Sequence, residues 1–310
     1  MKILLPLLAF AGLLGAWNHV GHKAIAGLAY DLLTDRARAR ADELIRRHPD
    51  FALMSEGAPA EEKARIRYAF MAAAYWPDTI RGDLRFYDDT RRDSIPTETR
   101  HGFPDMKRHT DWHYINVPFS TDGTATVPPR SPNVRTEVSR IIPLMGGAAN
   151  PGSHTDPVFL LPWLLHLVGD IHQPLHCASR FRKGQNNPET GRPWSDLGGN
   201  TINVVGAYNL HAYWDDLLGI TGSHVFVNGV ATALAKRTPP GADNLDPEQW
   251  VAEGWKAAQD HVYSFGNEGG SKEAPIQLTD AYRLNAQQAA MDRAAVGARR
   301  LAAILNRELR

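Results

Sequence analysis

Apolar residues recur every three or four positions from Val20 to about Leu33, at Ile25, Leu28, Ala29 and Leu32, a spacing that predicts an amphipathic helix. Thr34 is placed to cap a second helix through about Arg47. Pro59-Ala60-Glu61-Glu62 opens a third, with acids suited to a helix start, and Pro77 stops it after Tyr75. From 82 to 131 the period disappears in a stretch rich in Asp, Thr, Arg, Pro and Gly. This predicts a long irregular excursion, with a short extended piece from His113 to Val117. Pro132 begins a helix to about Met145, and Asp156-Pro157 begins another that is apolar almost throughout. Residues 180–207 are polar and Gly-rich and predict an active-site loop. Helical periodicity returns over about 209–218, 224–236, 246–264 and 279–309. Strand-type alternation is scarce. The expected class is all-α, one domain with long irregular loops.

Lys+Arg and Asp+Glu number 34 each. With that balance no global basic field exists to hold long duplex DNA, so a nucleic-acid substrate would be gripped locally. Cys177 is the one cysteine, which excludes an internal disulfide framework and a Cys-rich zinc knuckle. Residues 1–16 combine a basic start, a short apolar run and a small-residue end at Gly15-Ala16. That pattern predicts a signal peptide cut before Trp17, a mature domain over residues 17–310, and a secreted or periplasmic location. The apolar run is short for a membrane span, and nothing after Trp17 approaches that length.

Candidate chemistry is densest from Leu164 to His176, an apolar stretch that nonetheless holds His166, Asp170, His172 and His176. Buried imidazoles and carboxylates are costly unless paired or bound to a metal. His166 and Asp170 are four apart, hence on one helical face. His211 and Asp215 repeat the spacing, and Pro174 can turn His176 away from the first pair. One such pair alone also reads as a buried histidine bonded to a carboxylate. Two pairs with His176 make a nitrogen and oxygen set of the kind zinc uses. Trp17 reads as a core aromatic unless cleavage frees its α-amino group, which with its carbonyl could chelate a metal beside His22. Asp78 reads as a helix-end polar residue on its own. His48, His101, His109, His154, His224 and His261 read as structural or surface residues.

Taken in order, Trp17-Asn18-His19-Val20-Gly21-His22, Trp76-Pro77-Asp78-Thr79-Ile80-Arg81, His113-Tyr114-Ile115-Asn116, His166 through His176, Gly198-Gly199-Asn200 and His211 through Asp215 form an ordered set. The sequence resembles the secreted zinc-dependent single-strand nucleases of the S1/P1 type, the 3′-nucleotidase family, over essentially all of 17–310. The resemblance implies three zinc ions. One would be held by Asp78, His113, His166 and Asp170, and a second by His176, His211 and Asp215. The third would be held by the Trp17 amino and carbonyl groups, His22 and a bridging Asp170. It further implies that Arg81 offsets charge on the phosphoryl group.

Zinc acidifies its water toward neutrality and stabilises a departing 3′ oxygen, so the implied reaction is hydrolysis of single-stranded DNA and RNA to 5′-nucleotides, and of 3′-mononucleotides. Tyr114, Tyr213 and Trp194 are candidates for stacking an unpaired base. One departure concerns Asn116, where many relatives carry an aspartate: an amide cannot take a proton from water, but it can orient it. The disulfides of fungal relatives are absent. A zinc-dependent phospholipase C is the alternative, with phospholipid as substrate or as a second substrate; the Trp-Pro-Asp-Thr-Ile-Arg and Gly-Gly-Asn motifs favour the nuclease. A metal-binding protein without turnover is disfavoured, because three protein ligands at the second zinc leave a position for water. A zinc protease is disfavoured because no His-Glu-x-x-His occurs. The expected state is a monomer without stable membrane insertion.

Overall fold

The computed structural model describes residues 17–187, 190–265 and 270–310. The leader expected over residues 1–16 lies outside the described residues. Helices dominate, and the element at their centre is the one the sequence marks as apolar on every side. It runs over Pro157–Asp170, starts on an Asp156 side chain that accepts from the Val158 N–H, and is buried at every residue. A helix without a polar face is stable only when surrounded.

The surrounding helices are, in chain order, α1 (His19–Asp31), α2 (Asp35–Arg47), α3 (Phe51–Met54), α4 (Glu62–Ala73), α5 (Trp76–Thr79) and α6 (Val134–Ile141), before this central α7. After it come α8 (Pro174–Cys177), α9 (Leu210–Asp215), α10 (His224–Ala235), α11 (Pro247–Ala257) and α12 (Asp280–Glu308). Helices α1, α2, α4, α5, α6 and α12 all pack on α7. The long α12 approaches closely because its buried face is made of Ala286, Ala290, Ala294, Gly297 and Ala298. A methyl on Gly297 would fall 3.1 Å from the His172 ring.

Several boundaries differ from the sequence expectation for local reasons. Thr34 caps α2 as expected. The third expected helix starts later, at Glu62, because the Glu61 carboxylate takes the N–H groups of Lys63 and Ala64, and it ends at Ala73. The helix expected from Pro132 starts at Val134, where Asn133 and Thr136 form a reciprocal cap. The expected 246–264 helix is α11 followed by a π turn over Ala258–Val262.

The 180–207 stretch is not all loop. A small sheet is formed by β1 (Val117–Ser120), β2 (Ala178–Asn186) and β3 (Pro193–Ser195), with β1 parallel and β3 antiparallel to β2. β2 lacks the alternation that reveals strands, because Ala178, Ser179, Arg180 and Phe181 are all buried in succession. The fold remains a mainly helical single domain. Among the described residues no helix is long and apolar enough to cross a membrane.

Candidate metal centre and active site

The ligand-type side chains come from the inner ends of six elements around the C-terminal half of α7. Helix α1 brings His22, α5 brings Asp78, and the turn Thr110–His113 brings His113. His166 and Asp170 come from α7, His176 from α8, and His211 and Asp215 from α9. All eight are buried. Among the described residues three groups of side chains converge: His22 with His166 and Asp170, Asp78 with His113 and His166, and His176 with His211 and Asp215. Within each group the ligand atoms lie within 4.8 Å of one another.

Asp170 is the hub. Its Oδ2 lies 3.1 Å from both His113 Nδ1 and His166 Nε2, and its Oδ1 lies 3.4 Å from His22 Nε2. The His22 ring stacks on His166 with centroids 3.9 Å apart. It fits only because residue 169 is glycine: a Cβ there would fall 2.7 Å from His22 Nδ1. In the third group His211 Nε2 and Asp215 Oδ2 are 3.5 Å apart.

Backbone carbonyls set the tautomers. His166 Nδ1 faces the Ala74 carbonyl at 2.8 Å, His176 Nδ1 the His113 carbonyl at 2.6 Å, and His211 Nδ1 the Gly198 carbonyl at 2.7 Å. A carbonyl only accepts, so each Nδ1 carries a proton, which leaves Nε2 as the nitrogen that can face a metal, the arrangement of metal-ligating histidines. The parallel pairing of β1 with β2 lies just beyond His113 and His176. It is continued by the Ile115 N–H donating to the His176 carbonyl at 2.8 Å, so the strands hold these two histidines in register. Gly198 needs its missing side chain, with φ of +63° and a would-be Cβ 2.5 Å from the Leu175 carbonyl oxygen.

The donor set has too few protons to satisfy itself. Among the described residues Asp78 Oδ2, Asp170 Oδ1, His113 Nε2, His176 Nε2 and both ring nitrogens of His22 are buried without a hydrogen-bond partner. Each such atom costs about 1–3 kcal/mol. Burial pushes Asp170 up to about 7 and Asp215 well above the usual carboxylate range. Burial, followed by neighbouring imidazoles, holds His22, His113 and His176 well below the usual histidine range. A protein-only pocket of this kind is under electrostatic stress, and divalent cations relieve it by engaging the lone pairs directly. The residues fit several metal ions.

Trp17 is fully buried. The Asn18 side chain caps α1 and also donates to Asp216 Oδ1 and the Gly219 carbonyl, each at 2.7 Å. The Asn18 N–H donates to the Asp215 carbonyl at 3.3 Å, docking the chain before α1 against α9. Over the clusters opens a cavity of about 180 Å³ lined by Arg81, His113, Tyr114, Asn116, His176, Leu197, Asn200 and His211. Arg81 Nη1 lies 3.3 Å from Asp78 Oδ1. Asn116 is held at a φ of +55°, a conformation asparagine tolerates well.

Sequence reasoning left Gln173 without a role. Its Nε2 donates to Asp215 Oδ1 at 2.7 Å in a fully buried position, and its place beside His172-Gln173-Pro174 was the available signal. His172 itself turns away from the clusters: its Nδ1 faces the Val168 carbonyl and its Nε2 accepts from Arg300 at 2.9 Å. Tyr213 packs on Tyr282 beneath Arg283 and does not line the cavity. The histidines read as structural or surface residues lie outside the three groups; His48, for example, packs on Trp76 and Phe103.

A family model described as S1/P1 Nuclease matches residues 17–310. The chain is 32% identical over 179 residues to Endonuclease 2 of Arabidopsis thaliana, covering 52% of this chain and 55% of that protein. It is 24% identical over 315 aligned positions to Endonuclease 5 of the same plant, covering 94% and 90%. The match to the first thus spans about half of that relative's length.

Proposed function

The chain belongs to the S1/P1 nuclease family, and from that premise we propose that it is a zinc-dependent phosphodiesterase. Its substrates would be single-stranded DNA and RNA, cut to 5′-nucleotides, together with 3′-mononucleotides. The observation that carries this reading is the convergence of three buried His/Asp groups below a cavity that Arg81 and Asn116 line.

Asp78, His113, His166 and Asp170 would hold one zinc; His176, His211 and Asp215 a second; His22, Asp170 and the Trp17 main chain a third. Zinc bound there would supply a water acidified toward neutrality and a Lewis acid for the phosphoryl oxygens. Arg81 would bind a nonbridging oxygen and offset the charge that builds on the phosphoryl group. Asn116 would orient the attacking water through its amide, without acting as a proton acceptor. The Leu197-Gly198-Gly199 turn, with φ of +55°, +63° and +81°, keeps His211 aimed inward through the Gly198 carbonyl. A flexible single strand would reach the site more readily than the stacked backbone of a duplex.

The Trp17 amino group would exist only after removal of residues 1–16, so the reading includes export and cleavage before Trp17. The test uses the exported protein. Its N-terminus is mapped by mass spectrometry, its zinc measured on the same sample, and hydrolysis compared for single-stranded DNA, duplex DNA, a 3′-mononucleotide and phosphatidylcholine vesicles. The expected result is a Trp17 terminus, three zincs, cleavage of the single strand and the mononucleotide, and loss of both on chelation. Cleavage of lipid alone, or three zincs without phosphoesterase activity, overturns it.

A further inference from the structure

The inner cavity, at about 180 Å³, is smaller than the roughly 300 Å³ at which pockets begin to bury a drug-sized ligand. It has room for a phosphoryl group and part of a sugar. A larger groove of about 560 Å³ adjoins it and shares Tyr114, Asn116 and Leu197 as common wall. Outside that shared wall its lining includes Arg130, Arg192 and Trp194.

This part of the groove has the chemistry of a strand-binding surface. Trp194 presents an exposed indole. Arg130 and Arg192 are exposed, and among the described residues neither is in an ion pair. Among the described residues Asp111 is the acid that lines the groove, and its Oδ1 already accepts from the Tyr114 hydroxyl at 2.9 Å. The walls are anchored. The Arg130 carbonyl accepts from Asn133 Nδ2 at 2.7 Å, within the cap of α6, and Trp194 lies in β3, paired with β2.

We propose that the groove between Arg130, Arg192 and Trp194 is a subsite for the nucleotide next to the scissile phosphate of an unpaired strand. Trp194 stacks the flanking base, and the two guanidiniums take the flanking phosphate. The inference rests on the nuclease reading and deepens it: the preferred substrate is an oligonucleotide, recognised over more than one residue by backbone charge and stacking, without base-edge readout.

The zinc-loaded protein is assayed on thymidine 3′-monophosphate and on oligothymidylates of increasing length. For the wild type, kcat/KM rises with length and then levels. In Arg130→Ala/Arg192→Ala and in Trp194→Ala, the ratio of oligomer to mononucleotide kcat/KM falls about tenfold, the size expected for losing one stacked or phosphate-bound residue. Binding of a phosphorothioate-linked oligothymidylate, followed by fluorescence anisotropy, separates the two roles. The double arginine variant lowers the slope of log affinity against log salt by about 0.7, as one lost phosphate contact on a single strand requires. Trp194→Ala leaves that slope as it is. Circular dichroism and melting curves establish that the variants, all at exposed positions, are folded. A wild type that cleaves neither substrate overturns the nuclease reading and this inference with it. Cleavage of both without length preference, or variants that keep the wild-type ratio and slope, overturns the subsite alone.

Discussion

A methyl group added to Gly169 separates metal binding from folding. An ideal Cβ there would lie 2.7 Å from His22 Nδ1 and 3.0 Å from its Cε1, where ordinary contact begins at 3.4 Å. The imidazole must therefore retreat by about 0.7 Å, whereas metal–ligand distances hold to within about 0.2 Å. The ring has little room to comply, since His166 stacks on its face at a centroid distance of 3.9 Å. For the metal-free fold the change is mild. Overpacking costs about 1–3 kcal/mol, and alanine gains about 1 kcal/mol over glycine in a helix.

Gly169→Ala is thus expected to weaken one metal site by at least 10–100-fold, the loss typical of disturbing a residue that merely orients a ligand. The chelated protein should melt close to the wild type. The assay is metal content after dialysis against graded chelator, paired with melting curves with and without metal. Gly27→Ala is the control, because its methyl would meet the flexible end of Met71 at 3.1 Å. Full metal content in Gly169→Ala, with affinity within about twofold of wild type, would refute the assignment of His22 as a ligand.

Further outcomes follow from the same geometry. Asp170→Ala removes the carboxylate within 3.1 Å of two imidazole nitrogens and 3.4 Å of a third. It should lower metal content by more ions than any single histidine substitution, as elemental analysis will report; retained metal and near-normal activity would contradict the bridging role. Gln173→Leu deletes the 2.7 Å bond to Asp215 and should weaken one site about 10–100-fold in a competition titration; an unchanged affinity would reduce Gln173 to a packing role. His48 gives a pH dependence that is independent of metal. Burial pushes it down to about 4, so the unfolded chain takes up a proton below about 6.5 while the folded one does not. Its contribution is full above pH 6.5 and is lost as pH falls, reaching about 3 kcal/mol near pH 4. Urea unfolding at several pH values should show this slope in the wild type and not in His48→Gln.

The local rules of helix formation carried most of the fold. Thr34, Asp156 and Asn209 each cap the helix that their side chains suit. The i, i+4 pairs His166/Asp170 and His211/Asp215 share a face because the helical period requires it. The strands resisted because β2 buries four residues in a row, Arg180 among them. A run buried on both sides looks the same in sequence whether it is a strand or a buried turn.

The chain by itself determined that a helix apolar on every side must sit at the centre, and that its two polar residues must be satisfied there. Those are consequences of composition and period, which are local. Which other residues meet them was decided only by the tertiary structure, because the deciding contacts join distant positions. The β1–β2 pairing aligns His113 with His176, the Gly198 carbonyl turns His211 inward, and the absent side chain of Gly169 admits His22. His172, two residues from Asp170, is drawn the other way to Arg300, 128 residues along the chain. Spacing places a residue on a face; what that face meets depends on how distant segments pack.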